Sequence, residues 1–194
     1  QFEEQYGFKA DEAWFENVRL SALKFATWCS ASFVSQDGLI MTNHHCSRDE
    51  TIKLQTGTEN FDKNGFIANT LADERKLEGL FVEQLISVVD VTDRVLNAGA
   101  NASDSEKGAL INAELEAIQL EYQAKEGWEN LRLQVVTFYS GGKYSLYGFK
   151  KFDDIRLVFI PENDLGFYGG DPDNFTYPRY NLDCTFWRAY DEDG

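Results

Sequence analysis

Histidine is nearly missing from this chain: there are two in 194 residues, His44 and His45, side by side. Any imidazole chemistry must therefore run at one place. Cysteine is scarce too, with Cys29, Cys46 and Cys184 allowing one bridge and leaving one thiol over. Positive charge is in deficit, 18 Lys and Arg against 33 Asp and Glu, for a net charge of −15. Nothing here neutralises a run of phosphates, which excludes nucleic acid as a partner and argues against anionic membrane surfaces. No run of 18 apolar residues occurs, so no membrane span is predicted. Repeats and low-complexity segments are absent as well. The opening Gln1-Phe-Glu-Glu carries no signal-peptide pattern, as a processed N-terminus would also read.

What is present is core-forming material. Hydrophobic residues make up 43% and aromatics 14%, enough for one domain of ordinary size or two small lobes. Asp11 is a good N-cap for a helix over 11–20, with Trp14, Val18, Ala22 and Phe25 at helical spacing. The period then changes. Ser30–Ser35 reads as a strand, Gln36-Asp37-Gly38 as a tight turn and Leu39–Thr42 as the returning strand. Residues 47–80 are polar and turn-rich, a loop with a short helix. Leu80–Val91 reads as a strand or two, and 97–103 as a loop. A helix from about 104 to 125 carries Ile111, Leu115, Ile118 and Tyr122 on one face. Strands follow over 131–139, 144–149, 154–160 and 184–190, with a glycine-rich loop at 166–174. The fold class is mainly β.

The stretch that points to chemistry is Asn43-His44-His45-Cys46, reached from Cys29 through the hairpin. With the hairpin strands side by side, Cys29 and Cys46 come within reach of a bridge. Closing that loop would contribute about 3 kcal/mol in the chain-entropy picture; two buried free thiols are the alternative. Cys184 reads as a buried small apolar residue. A metal site at His44, His45 and Cys46 is disfavoured, because neighbouring strand residues face opposite ways and no second cluster completes four ligands. Asp62-Lys-Asn64-Gly65 and Asp171-Pro-Asp173-Asn174 lack the twelfth-position glutamate of a calcium loop and read as turns. The sequons at Asn101 and Asn174 are short enough to arise by chance. Gly141-Gly142 lacks the Lys-Ser/Thr of a phosphate cradle.

The segment from Cys29 to Cys46 resembles the disulfide-bridged histidine loop of chymotrypsin-like serine proteases. Within that clan the likeness narrows. Tyr6-Gly-Phe, Trp14, Arg19-Leu20, Thr42-Asn-His-His-Cys46, Asp154–Pro161 and Gly169-Gly170-Asp171-x-Asp173-Asn174-Phe175-x-Tyr-Pro178-Arg179 together look like peptidase family 46, the bacterial dipeptidyl peptidases of types 7 and 11. The similarity runs in order from about Tyr6 to Tyr190.

The resemblance implies the N-terminal part of a trypsin-like, double-barrel peptidase domain spanning 1–194, with the helices packed outside. It implies His45 as catalytic base and Asp183, just before Cys184-Thr-Phe-Trp, as the carboxylate that orients it. Asp173, Asn174 and Phe175 fall on the pocket that holds the substrate's free N-terminus, with Asn174 accepting from the ammonium; Phe175 stands where the family usually has tryptophan. A serine needs an imidazole to activate it, and the imidazole needs a carboxylate to fix its tautomer. The family's Gly-Asn-Ser-Gly-Ser-Pro-like nucleophile turn does not occur here, so the serine and the helical domain are expected beyond Gly194. The implied activity is removal of dipeptides from the N-terminus of oligopeptides, without cofactor or metal, by a homodimer in the periplasm or on the outer surface of a bacterium. The remainder of the same protease would be a further partner. A chymotrypsin-like endopeptidase whose serine lies elsewhere and a non-catalytic binding module on a protease scaffold are the alternatives.

Overall fold

A computed structural model describes residues 2–167 and 180–191. In chain order the elements are α1 (Phe2–Tyr6), α2 (Glu12–Ser21), β1 (Ala22–Phe25), β2 (Cys29–Phe33), β3 (Leu39–Thr42), α3 (His44–Thr51), α4 (Phe61–Asn64), β4 (Phe66–Ile67), β5 (Arg75–Lys76), β6 (Val82–Asp90), α5 (Thr92–Ala98), α6 (Asp104–Gln123), β7 (Arg132–Phe138), β8 (Lys143–Phe152), β9 (Asp154–Ile160), α7 (Asn163–Gly166) and β10 (Thr185–Tyr190). Among the described residues no helix is long and apolar enough to cross a membrane. The chain divides into two compact units, residues 1–83 with 152–194, and 84–151.

The first unit is built on an antiparallel sheet with strand order β4-β9-β10-β3-β2-β1, and β5 also pairs with β9. β1 and β3 alternate as half-buried strands do. In β1, Leu23 and Phe25 are buried while Ala22 and Lys24 are exposed. Ile40 from β3, Ile155 and Leu157 from β9, and Trp187 from β10 are fully enclosed in the same core. Trp187 keeps its indole N–H satisfied inside that core by donating to Ser47 Oγ at 2.9 Å. The hairpin turn needs its glycine. Gly38 has φ +71°, and a Cβ there would stand 2.6 Å from the carbonyl oxygen of Ala189.

The second unit is the strand trio β6-β8-β7 with α5 and α6. Val95, Ile118 and Leu146 are fully buried at its centre, with Ile111, Leu115 and Tyr122 packed against them. That is the α6 face expected from the spacing. Ser103 occupies the α6 N-cap, but its hydroxyl donates to Glu106 instead of capping the backbone.

Several expectations need correction. α2 is capped by Asp11, whose side chain accepts from the Trp14 N–H at 2.8 Å, yet it buries no residue. The helical apolar spacing of Trp14 and Val18 does not continue through Ala22 and Phe25, because those two belong to β1. His44, His45 and Cys46 lie in α3 rather than on a strand, so the argument that neighbours face opposite ways does not apply to them. α5 was not foreseen. Asp62–Asn64 form α4, ended by Gly65 at φ +61°. Cys184 is half-buried rather than buried; burial and the charge of Asp183 push its thiol pKa up, which keeps it in the unreactive protonated form.

Candidate active site

The register of β10 on β3 builds the site. Thr185 pairs with Thr42 and Trp187 with Ile40 in an antiparallel ladder. The residues that precede β10 therefore run alongside those that follow β3, and these are Asp183 and the Asn43-His44-His45 start of α3. Two segments 138 residues apart in sequence meet here.

His45 Nδ1 lies 2.8 Å from Asp183 Oδ2. The His45 backbone N–H donates to the other oxygen, Oδ1, at 3.1 Å. Asn43 Nδ2 donates to Oδ2 at 3.0 Å. The Asp183 side chain is only 2% exposed, so three donors take the place of its water, whereas the His45 side chain is 44% exposed. An ionised carboxylate can only accept, which puts the imidazole proton on Nδ1 and leaves the Nε2 lone pair free. The arrangement presents a basic nitrogen to solvent, with its tautomer and ring plane fixed from behind.

Local chemistry explains why α3 starts where it does. Asn43 has extended N-cap geometry but makes no side-chain cap. Its amide is spent on Asp183, and Asp183 instead accepts the first-turn N–H of His45. A distant carboxylate thus caps the helix, and negative charge at a helix N-terminus is favourable in its own right. Cys46, in the same turn, is joined to Cys29 at the head of β2, with a Cα–Cα separation of 6.1 Å. The bridge ties a strand to a helix, not two strands as the hairpin geometry suggested. Trp28 adds a third tie, its indole N–H donating to the Cys46 carbonyl oxygen at 3.0 Å.

His44 has a different environment from its neighbour. It is 2% exposed, and its ring lies against Gly166, where an added Cβ would meet the ring at 2.5–2.7 Å. Its Nδ1 is buried without a hydrogen-bond partner. Burial is the main cause that lowers its pKa; it outweighs the nearby charge of Asp183, which acts the other way, and Arg48 adds to the lowering, so the neutral ring is favoured. Next to Gly166, the Leu182 N–H donates to the Leu165 carbonyl oxygen at 2.8 Å and fixes the chain immediately before Asp183. His44 and Asp183 are thus braced by the same short helix, α7.

A small open cavity of about 260 Å³ adjoins Asp183, lined in part by Ser30, Ser32, Met41, Asn43 and Cys184. A larger groove of about 770 Å³, which includes Phe61, Phe66, Arg75, Leu165 and Leu182, contains neither His45 nor Asp183. Among the described residues, the one group of possible metal ligands is Cys29, His45 and Cys46. With its two sulfurs bonded to each other, it offers no thiolates.

Of the residues singled out from the sequence, the structure brings together His45, Asp183, Cys29 and Cys46. Asp173, Asn174 and Phe175 lie outside the described residues. Asn43 was missed: its amide is engaged by Asp183, 140 residues away, and no local pattern flags that contact.

The whole chain, residues 1–194, matches the family model Peptidase S46. The chain belongs to peptidase family S46. Two relatives in Capnocytophaga gingivalis are similar to it: a dipeptidyl-peptidase 7, 33% identical over 180 residues, covering 92% of this chain and 25% of that protein, and an Asp/Glu-specific dipeptidyl-peptidase, 33% identical over 190 residues, covering 95% of this chain and 26% of that protein. A crystal structure of Porphyromonas endodontalis DPP11 in complex with substrate superposes with a TM-score of 0.81 at 28% identity, covering 98% of this chain and 29% of that one. This S46 segment therefore spans about a quarter of the length of the curated relatives it matches. It is mostly antiparallel sheet with some helices, in keeping with the mainly β class expected.

Proposed function

We propose that this S46 segment supplies the base and the orienting carboxylate of a serine-type dipeptidyl peptidase. The observation that supports the reading best is the 2.8 Å contact between His45 Nδ1 and Asp183 Oδ2, with Nε2 left free. In the proposed reaction Nε2 takes the proton from a serine hydroxyl as that oxygen attacks the scissile carbonyl, then passes it to the departing amine. Asp183 holds the tautomer and stabilises the imidazolium that forms in between. The serine and its oxyanion donors come from outside residues 1–194, and this segment forms the first barrel of a trypsin-like pair. Asn174, with Asp173 and Phe175 beside it, receives the substrate's ammonium, so the substrate is an oligopeptide with a free N-terminus that loses two residues at a time. Export to the periplasm or outer surface fits a protein whose base is anchored by a disulfide. By family likeness the assembled enzyme is a homodimer. The relatives named dipeptidyl-peptidase 7 and Asp/Glu-specific dipeptidyl-peptidase stand equally near at 33% identity.

The test uses the full-length protein on two versions of one peptide, one with a free N-terminus and one acetylated. Dipeptide release from the free version only, abolished in His45→Ala, is the expected result. Internal cleavage of the acetylated peptide would overturn the reading in favour of an endopeptidase. The 194-residue chain on its own is expected to hydrolyse neither.

A further inference from the structure

A ring nitrogen of His45 and the Sγ atoms of Cys29 and Cys46 lie within 4.8 Å of one another. Tetrahedral zinc holds sulfur at about 2.3 Å and imidazole nitrogen at about 2.0–2.1 Å, which sets ligand-to-ligand separations of roughly 3.5–3.8 Å. Once the bridge is open, that geometry is met when the sulfurs part by roughly 2 Å and the imidazole nitrogen stands roughly 3.5 Å from each. Side-chain rotation can supply such shifts while the backbone stays in place, with the two Cα atoms 6.1 Å apart.

Two further features favour a metal. His45 Nδ1 is already engaged by Asp183, which leaves Nε2 as the ligand atom. A histidine whose other nitrogen is held by a carboxylate is the usual arrangement around bound zinc, where the carboxylate fixes the ring and raises its basicity. The His45 side chain is also 44% exposed, so a metal can enter and a water can complete the coordination.

We propose that reduction of the Cys29–Cys46 bridge turns this corner of the protein into a zinc site formed by Cys29 Sγ, Cys46 Sγ and His45 Nε2, with water as the fourth ligand. The conversion balances. A dithiol gives two electrons and two protons to the disulfide and becomes a cyclic disulfide, while Cys29 and Cys46 become thiols. Zinc then displaces one proton from each thiol to solvent, and His45 binds through its neutral Nε2. The metal takes the lone pair that the proposed peptidase uses as its base, so a reduced, zinc-loaded enzyme is inactive and a chelator restores it. That consequence rests on the proposed function; the metal binding itself does not.

The test reduces the full-length protein with a dithiol, removes the dithiol without air, and titrates with zinc alone, or with cobalt for its thiolate charge-transfer absorption. One additional equivalent bound by the reduced protein and not by the oxidised one is the expected result. Cys29→Ser, Cys46→Ser and His45→Ala should each lose it, Cys184→Ser should keep it, and Asp183→Asn should weaken it by about 10–100-fold. Equal binding by oxidised and reduced protein, loss of the site in Cys184→Ser, or full binding in His45→Ala overturns the proposal. If reduction abolishes the far-ultraviolet circular dichroism, zinc should restore it, and failure to do so counts equally against the site.

Discussion

Gly166→Ala tests how the pair is braced. A Cβ built on Gly166 stands 2.5 Å from His44 Cγ, 2.6 Å from Nδ1 and 2.7 Å from Cδ2. Carbon atoms in ordinary contact sit about 3.5–4.0 Å apart, so ring and methyl must separate by roughly 1 Å. The ring is 2% exposed and has nowhere to go without moving α3 or α7. Replacing glycine in a backbone that alanine tolerates normally gains about 0.4–1 kcal/mol, while overpacking costs about 1–3 kcal/mol or more. The expected net loss is about 1–2 kcal/mol, measured by urea denaturation with tryptophan fluorescence. His44→Ala removes the ring. In that background the same glycine replacement should become neutral or stabilising, for a coupling of about 1–3 kcal/mol. Because α3 carries His45 and the Leu165–Leu182 bond leads into Asp183, the single variant should also lower kcat/KM of the full-length enzyme, and the double variant should recover part of it. A coupling below about 0.5 kcal/mol would show that the ring and the glycine do not brace each other.

Other outcomes follow from the same contacts. Asn43→Ala removes one donor from a carboxylate that is 2% exposed and should cost about 1.5–3 kcal/mol, seen as a lower urea midpoint; an unchanged midpoint would mean that water replaces the amide without loss. His44 is held neutral with its pKa below 6.5, so the unfolded chain binds the proton first; stability should fall as pH drops below about 6.5, and His44→Asn should flatten that part of the profile. Glu59 accepts from Arg75 at 2.6 and 2.7 Å, which with the Thr56 N–H pulls its pKa down to about 2. Its contribution is complete above about 4.5 and disappears as pH falls toward about 2; in Arg75→Gln its carboxyl resonance should titrate higher than in the unaltered protein yet stay below 4.5, because the Thr56 N–H and hydroxyl still donate to it.

The sequence was most readable where one strong pattern governed the local structure. Asp154–Leu157 and the β3 arm of the hairpin alternate, with the phase slipping after Leu157 where the β9–β10 register shifts, and α6 carries a helical stripe that packs as its spacing requires. α3 was illegible for a physical reason. Its residues His-His-Cys-Ser-Arg-Asp-Glu-Thr have little helix preference and follow directly on a strand, and the helix is held by Asp183, the bridge and Trp28, all tertiary ties. α5 hid behind β-branched residues, its start marked only by Asp90 accepting from the Thr92 N–H. At the site, the lone histidine pair and its nearby cysteines could be read from the residues themselves. The partner at Asp183 could not: no local signal links residues 138 apart, and only the family likeness singled it out before the β3–β10 register gave the reason.

The central claim is that Asp183 orients His45 for catalysis rather than merely capping α3. Asp183→Asn separates the two roles, since the amide keeps the size and an acceptor oxygen for the His45 N–H but can no longer fix the Nδ1–H tautomer and balance the imidazolium. In the full-length enzyme the account predicts a fall in kcat of about 10⁴ with the fold retained. Activity within tenfold of the unaltered enzyme would contradict it.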